Sequence, residues 1–142
     1  LVDVDVVEGC GMMIPRRVLN QIERFDERFF LYWEDSDFSM RVRAAGFRTV
    51  VAQDISMGHS PAQSTGQDSP LMEYYMTRNA LLFFWKHTTG LLPRARLLSR
   101  LLISRTTSGY RRIQRDEIKV GEAQLIGVFD FVRRQFGKSQ KY

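Results

Sequence analysis

The chain has 142 residues, 44% of them hydrophobic, a length that fits one domain or one large piece of a domain and a composition that excludes an intrinsically disordered chain. Its one cysteine, Cys10, excludes an internal disulfide framework and a cysteine-based zinc site, and a cytoplasmic setting is expected from it. The net charge of +5 is uneven: residues 1–92 carry nine Lys/Arg against twelve Asp/Glu, and residues 93–142 carry twelve against four, so a chemically mixed first part bears a basic tail suited to an anionic partner.

No basic segment followed by an apolar one opens the chain, so no signal peptide is expected. Residues 2–7 alternate apolar and acidic side chains, a strand pattern. A start inside such a strand leads to the expectation that a longer domain continues upstream. Gly9-Cys10-Gly11 interrupts the pattern and Met12-Met13-Ile14 resumes it. Pro15 suits the first turn of a short helix over 16–22. Residues 25–33 hold five aromatic side chains (Phe25, Phe29, Phe30, Tyr32, Trp33) and predict an extended loop or short strand. A helix is expected over 34–45, with Asp35, Phe38, Ser39 and Val42 on one face and Gly46 as its stop. Strands are expected over 47–52 and 55–59, then a polar loop over 60–67.

Ser69 is placed to cap the next helix, with Pro70 at its first position and Glu73 in its first turn. That helix is expected to end at Lys86 or His87. The nearest approach to the roughly 20 apolar residues of a bilayer-spanning helix is the run 80–85, which Lys86 closes. Residues 93–106 predict a basic amphipathic helix, residues 107–121 give no clear pattern, and a last helix is expected over 122–136.

Chemistry concentrates at Trp33-Glu34-Asp35-Ser36-Asp37, where three carboxylates crowd a helix start beside the aromatic residues. Acidic side chains at a helix N-terminus are stabilised by the dipole without any further role. The same carboxylates, desolvated by aromatic neighbours, suit a general base. Burial and the helix dipole oppose one another, and the sequence leaves both readings open.

The stretch from Gly9 to Val51 resembles the C-terminal half of family-2, GT-A-type glycosyltransferases, in particular the bacterial rhamnosyltransferase-like group. The residues that carry the resemblance are Gly9, Gly11, Arg16, Arg17, Phe25, Asp26, Glu27, Phe29, Phe30, Tyr32, Glu34, Asp35, Asp37, Arg41 and Ala45-Gly46-Phe47. It continues through His59, Ser64 and Tyr74-Tyr75 to Arg78-Asn79, and more loosely through an FGK ending at 136–138. Arg24 stands where the family has glycine. Several linked motifs in one order make the match specific.

The resemblance implies an α/β fold, the acceptor-side half of a GT-A-like domain over 1–90 with a basic helical extension over 91–142. It implies transfer of a sugar, with inversion, from a nucleoside diphosphate donor to a hydroxyl of a polysaccharide or lipid-linked acceptor. Asp35 takes the place of the catalytic base. Trp33, Glu34, Gly11, Arg78 and Asn79 take substrate-binding places, and His59 that of a ligand to a divalent metal, Mg or Mn. For Arg78 and Asn79 a buried network pinning their helix is the competing reading. Asp37 and Arg41, spaced i, i+4, fit a helix salt bridge.

Asp3-Val4-Asp5 spells the metal-binding DXD pattern of that fold class, but it lies next to the Gly-rich segment, and strand alternation puts both acids on one solvated face. The metal-binding DXD and the nucleotide-binding units are therefore expected outside these residues, and the chain alone is expected to be inactive.

In the tail, Leu97, Leu98, Leu101 and Leu102 cluster on one side of a helical wheel, with Arg94, Arg96, Arg100 and Arg105 around them. That pattern fits an anionic membrane surface, at the inner face of the cell membrane, or a helix packed on its own domain. No RNA-binding signature or zinc-finger spacing points to nucleic acid. A non-catalytic basic module docking on a membrane or a protein partner is the alternative to the enzyme. A metal hydrolase built on Asp35 and His59 lacks enough ligands.

Overall fold

The computed structural model describes residues 1–59, 66 and 68–142. Ser64 and the polar loop expected over 60–67, apart from Gly66, lie outside them. The chain is mostly helical. A two-stranded antiparallel sheet pairs β1 (Val2–Asp3) with β2 (Val50–Val51), in the register Val2 to Val51 and Asp3 to Val50. Among the described residues, five α-helices follow or flank it: α1 (Arg16–Gln21), α2 (Glu34–Ala44), α3 (Pro70–His87), α4 (Leu91–Gln114) and α5 (Ile118–Val132).

The α/β expectation thus holds only as a small sheet on a helical body. Strand alternation needs a neighbour to pair with, and past Asp3 the neighbour runs out. The Val4 amide still reaches the Thr49 carbonyl at 3.0 Å, but by Val7 the amide donates to Ser39 Oγ of α2 at 3.2 Å. Met12-Met13-Ile14 and residues 55–59 form no strand either, and Gly9–Gly11 is a single 3₁₀ turn.

Three helix starts follow the sequence closely. Ser69 Oγ accepts from the Met72 amide at 3.1 Å with Pro70 next, which fixes the start of α3. The α2 helix runs from Glu34 until Gly46, whose positive φ of 85° closes it at no side-chain cost. The α1 helix packs on α2 through Val18, Ile22, Phe38 and Val42.

The last two helices depart from expectation. The α4 helix continues to Gln114, and α5 begins at Ile118 and ends at Val132. Residues 107–121 give no clear pattern in the sequence, yet Gly109 and Gly121 are both helical. A Cβ on Gly121 would lie 2.6 Å from the Gly109 carbonyl oxygen, and one on Gly109 would lie 2.9 Å from Leu125. The two backbones approach too closely for any side chain there. Gly127 lets α5 approach α3 in the same way, 2.8 Å from the Tyr74 carbonyl. Because α5 packs on both α3 and α4, a division at residue 90 falls in the turn between two helices of one bundle.

Candidate active site

The site is built on the segment between α1 and α2. Phe30, Tyr32 and Trp33 all have left-handed backbones, with φ of 62°, 64° and 72°. Such conformations cost of order 1–3 kcal/mol each for non-glycine residues and persist only where the surroundings impose them. Here α3 imposes them. Arg78 is buried, and its guanidinium donates to the carbonyls of Arg28 (3.1 Å), Phe29 (3.2 Å) and Gly137 (2.8 Å), to Tyr74 Oη (3.2 Å) and to Asn79 Oδ1 (3.0 Å). Asn79 Nδ2 donates to the carbonyls of Phe29, Leu31 and Tyr32 at 2.7–3.0 Å. The polar groups of both side chains are thereby engaged within the protein. The structure buries Arg78 and Asn79 as the clamp on this loop.

The loop delivers two carboxylates to the first turn of α2, and they face different surroundings. Asp35 turns to the Gly-rich turn. Its Oδ2 accepts from the Gly9 amide at 3.0 Å and its Oδ1 from the Ser36 amide at 2.6 Å. On the far side of that turn lies Met57, whose methyl carbon stands 2.7 Å from where a Gly11 Cβ would be. At Gly11 only the flexible end of that exposed side chain stands where a Cβ would be. His59, two residues beyond Met57, is exposed. Among the described residues no group of three His, Cys, Asp or Glu side chains could hold a metal ion. Asp3 and Asp5 are exposed and engaged with arginines, Asp3 in a two-pronged pair with Arg48 at 2.8 Å and Asp5 with Arg43. The described residues do not by themselves form a divalent-metal site.

Glu34 turns the other way, into a cleft of about 680 Å³ that it lines with Phe25, Phe30, Phe136, Arg134 and Lys138. Burial raises its carboxyl above the ordinary glutamate range. Its own backbone amide opposes this and the neighbouring Asp35 charge adds to it. One of its oxygens, Oε2, is buried without a hydrogen-bond partner. Trp33 packs its ring on Phe83 and Phe84, with centroids 5.0 and 5.7 Å apart, and its Nε1 is likewise buried and unpartnered.

The far wall of the cleft is the C-terminal segment. Gly137, with φ of 81°, donates its amide to the Arg28 carbonyl at 2.8 Å while its own carbonyl accepts from Arg78. Arg134, Phe136 and Lys138 are the members of this site that sequence reasoning missed; the FGK ending was the available signal.

The third acid of the cluster is structural. Asp37 is fully buried and meets Arg41 Nε at 2.8 Å, Lys86 Nζ at 2.7 Å and His87 Nε2 at 2.8 Å. Burial alone would raise its carboxyl; the three partners outweigh it and hold the group below the ordinary aspartate range. The i, i+4 bridge expected from the sequence is one arm of this knot between α2 and α3. Asp26, held well down by Arg28 and then Lys86, extends it toward the cleft.

The raised Glu34 carboxyl yields a testable pH dependence. A group whose folded-state pKa exceeds its unfolded value contributes stability below the unfolded pKa and loses it as pH rises through the folded one. Glu34→Gln cannot ionise, so it is expected to melt above the parent near pH 7 and to converge with it near about pH 4. Thermal unfolding across that range checks this; an offset that does not change with pH contradicts it.

Comparison with known proteins shows similarity to glycosyltransferases. Over 62 residues, 44% of this chain and 20% of the relative, it is 36% identical to N-acetylglucosaminyl-diphospho-decaprenol L-rhamnosyltransferase of Mycobacterium tuberculosis. Over 136 residues, 90% of this chain and 45% of the relative, it is 24% identical to the dTDP-rhamnosyl transferase RfbF of Shigella flexneri. Over 80 residues, 56% of this chain and 26% of the relative, it is 32% identical to the low-salt glycan biosynthesis hexosyltransferase Agl10 of Haloferax volcanii. No family model and no solved structure matches. The chain spans less than half the length of these relatives, and what their names share is the transfer of a sugar.

Proposed function

We propose that this chain is the acceptor-side half of an inverting, GT-A-type glycosyltransferase of family 2 that moves a hexose or deoxyhexose, rhamnose among the candidates, from a nucleoside diphosphate to a hydroxyl of a polysaccharide or lipid-linked acceptor. The observation that carries the proposal is the pair Glu34–Asp35 at the start of α2. One carboxylate is fixed by the Gly9 amide, and the other lines an aromatic cleft, in a chain similar to rhamnosyl- and hexosyltransferases.

In this reading the attacking hydroxyl of the acceptor is presented at Asp35, beside the Gly-rich turn, and the cleft of Glu34, Phe25, Phe30 and Phe136 takes a more distant part of the acceptor. Asp35 removes the proton of the attacking hydroxyl. The oxygen forms its bond to the anomeric carbon on the face opposite the diphosphate, whose bond to that carbon breaks with the electron pair leaving on the nucleotide. Mg or Mn suits the charge on such a leaving group, and His59 is the residue of this chain that would reach toward it. The donor-binding elements belong to residues other than these. Met13, Ile55 and Met57 expose 94%, 74% and 59% of their surface on the segments beside Asp35, an apolar face suited to covering by such elements.

The anomeric configuration of the product tests the inversion. A transferase carrying this chain, given a panel of nucleotide sugars and a glycan acceptor, is expected to form a glycoside of opposite anomeric configuration to the donor, read from the anomeric proton and carbon signals. A product of retained configuration refutes a single displacement with Asp35 as base.

A further inference from the structure

The four leucines expected to meet a membrane do not face outward. Leu97, Leu98, Leu101 and Leu102 are half-buried, on the side of α4 turned toward the bundle. Arg94 is also engaged, donating to the Thr88 carbonyl at 2.7 and 3.0 Å, and Arg105 lies 4.0 Å from Glu73. To that extent α4 is a helix packed on its own domain.

The opposite face of α4 carries a different pattern. Leu92, Ile103 and Tyr110 are 80%, 65% and 60% exposed, and at 100° per residue they fall on one line along the helix. Leu91, 81% exposed, extends the apolar surface at the N-terminal end. Arg96, Arg100, Arg111 and the C-cap residue Arg115, all exposed, lie to one side of the line at that spacing, and none has an acidic partner among the described residues. On that side of α4, around the helix from the apolar line, the surface opens into a polar hollow of about 390 Å³ lined by Ser104, Thr107, Ser108, Arg111, Arg112, Arg115 and Glu117. Glu117 accepts from Arg112 at 3.4 Å, which leaves two guanidinium groups of the hollow unneutralised.

We propose that this face of α4 docks on a lipid surface bearing phosphate head groups of net negative charge. Arg111 and Arg115 receive the phosphate in the hollow, with the hydroxyls of Ser104 and Ser108 beside them. Tyr110, Ile103 and Leu92 enter the head-group layer. The chemistry fits at each level: guanidinium forks match phosphate oxygens, an amphipathic ring suits the interface, and a line of apolar residues gains by leaving water. No described helix is long and apolar enough to cross a membrane, so the contact is with its surface. The proposal does not depend on the sugar-transfer reading.

Co-sedimentation with vesicles of phosphatidylglycerol and phosphatidylcholine, against phosphatidylcholine alone, tests it. The chain is expected to bind the anionic vesicles, to bind neutral ones far less, and to release as salt rises. Replacing Arg96, Arg100, Arg111 and Arg115 by Gln is expected to weaken binding at least about tenfold, since each basic group near such a surface contributes to the attraction. A Tyr110→Ser, Ile103→Ser variant is expected to weaken it while keeping the salt dependence. Circular dichroism checks that both variants stay folded. Equal binding to neutral vesicles, or undiminished binding by the four-arginine variant, overturns the proposal. So does saturation of the hollow by inorganic phosphate, seen by calorimetry, without vesicle binding, and so does retention on RNA in preference to anionic vesicles at the same salt.

Discussion

An Arg78→Leu protein is expected to lose about 3 kcal/mol or more of stability, since hydrogen bonds made by a charged group contribute about 1.5–3 kcal/mol each. Arg78 is 1% exposed. Its loss strands the Gly137 carbonyl, at about 1–3 kcal/mol where nothing replaces the donor, and takes one donor each from the Arg28 and Phe29 carbonyls, which keep the Gly137 amide and the Asn79 side chain respectively. It also removes a cation lying over the rings of Tyr74 and Tyr75, 5.2 and 4.9 Å from their centroids. Against a total stability of about 5–15 kcal/mol for an ordinary domain, that is a large share. Arg78→Lys is expected to recover only part, because one ammonium with three donors cannot reach acceptors spread over two segments.

The measurement is urea unfolding of both variants, with amide exchange at Phe29 and Gly137. If the clamp holds the loop, those two amides lose protection before the rest of α3 does. A shift in stability below about 1 kcal/mol, the level of an ordinary surface change, contradicts the clamp.

Much of the helical frame was legible because its signals are local. Ser69-Pro70 marked the start of α3, Gly46 the end of α2, and the apolar spacing of Phe38 and Val42 the face that meets α1. The strands were over-read because alternation records which side of a segment is wet; it does not record whether a neighbour is there to pair. Residues 107–121 gave no clear pattern, and the reason for their glycines, Gly109 and Gly121, is the spacing between α4 and α5. A single sequence cannot show such a close approach.

The site was legible in part for the same reason. Glu34, Asp35 and Asp37 stand together in the sequence, and the division of labour among them does not. Nothing in the spacing says that Asp37 is buried on Arg41, Lys86 and His87 while Asp35 accepts from a backbone amide 26 residues earlier. The far wall of the cleft, Arg134 to Lys138, lies about a hundred residues further on. Three left-handed aromatic residues in a row of four run against local preference, so no propensity argument reaches them. Arg78 and Asn79 were visible as unusual polar residues in an apolar helix, and only the packed structure shows that they hold the loop.

The central claim is that Asp35 takes the proton in sugar transfer. In a transferase carrying this chain, Asp35→Asn is expected to lower turnover at least about 100-fold, the lower end for removal of a general base. Asparagine keeps the shape of the side chain and an oxygen able to accept from Gly9, so folding and the Gly-rich turn are expected to survive. Donor and acceptor affinities are expected to hold within about twofold, because a base acts in the transition state and not in ground-state binding. Initial-rate kinetics of the Asn variant, with melting temperature as the control, is the most direct test. A fall in kcat of at least that size at unchanged KM and unchanged melting is the predicted result. Turnover within a few fold of the parent contradicts the assignment of Asp35 as the base, and with it the reading of this chain as the acceptor side of a transferase.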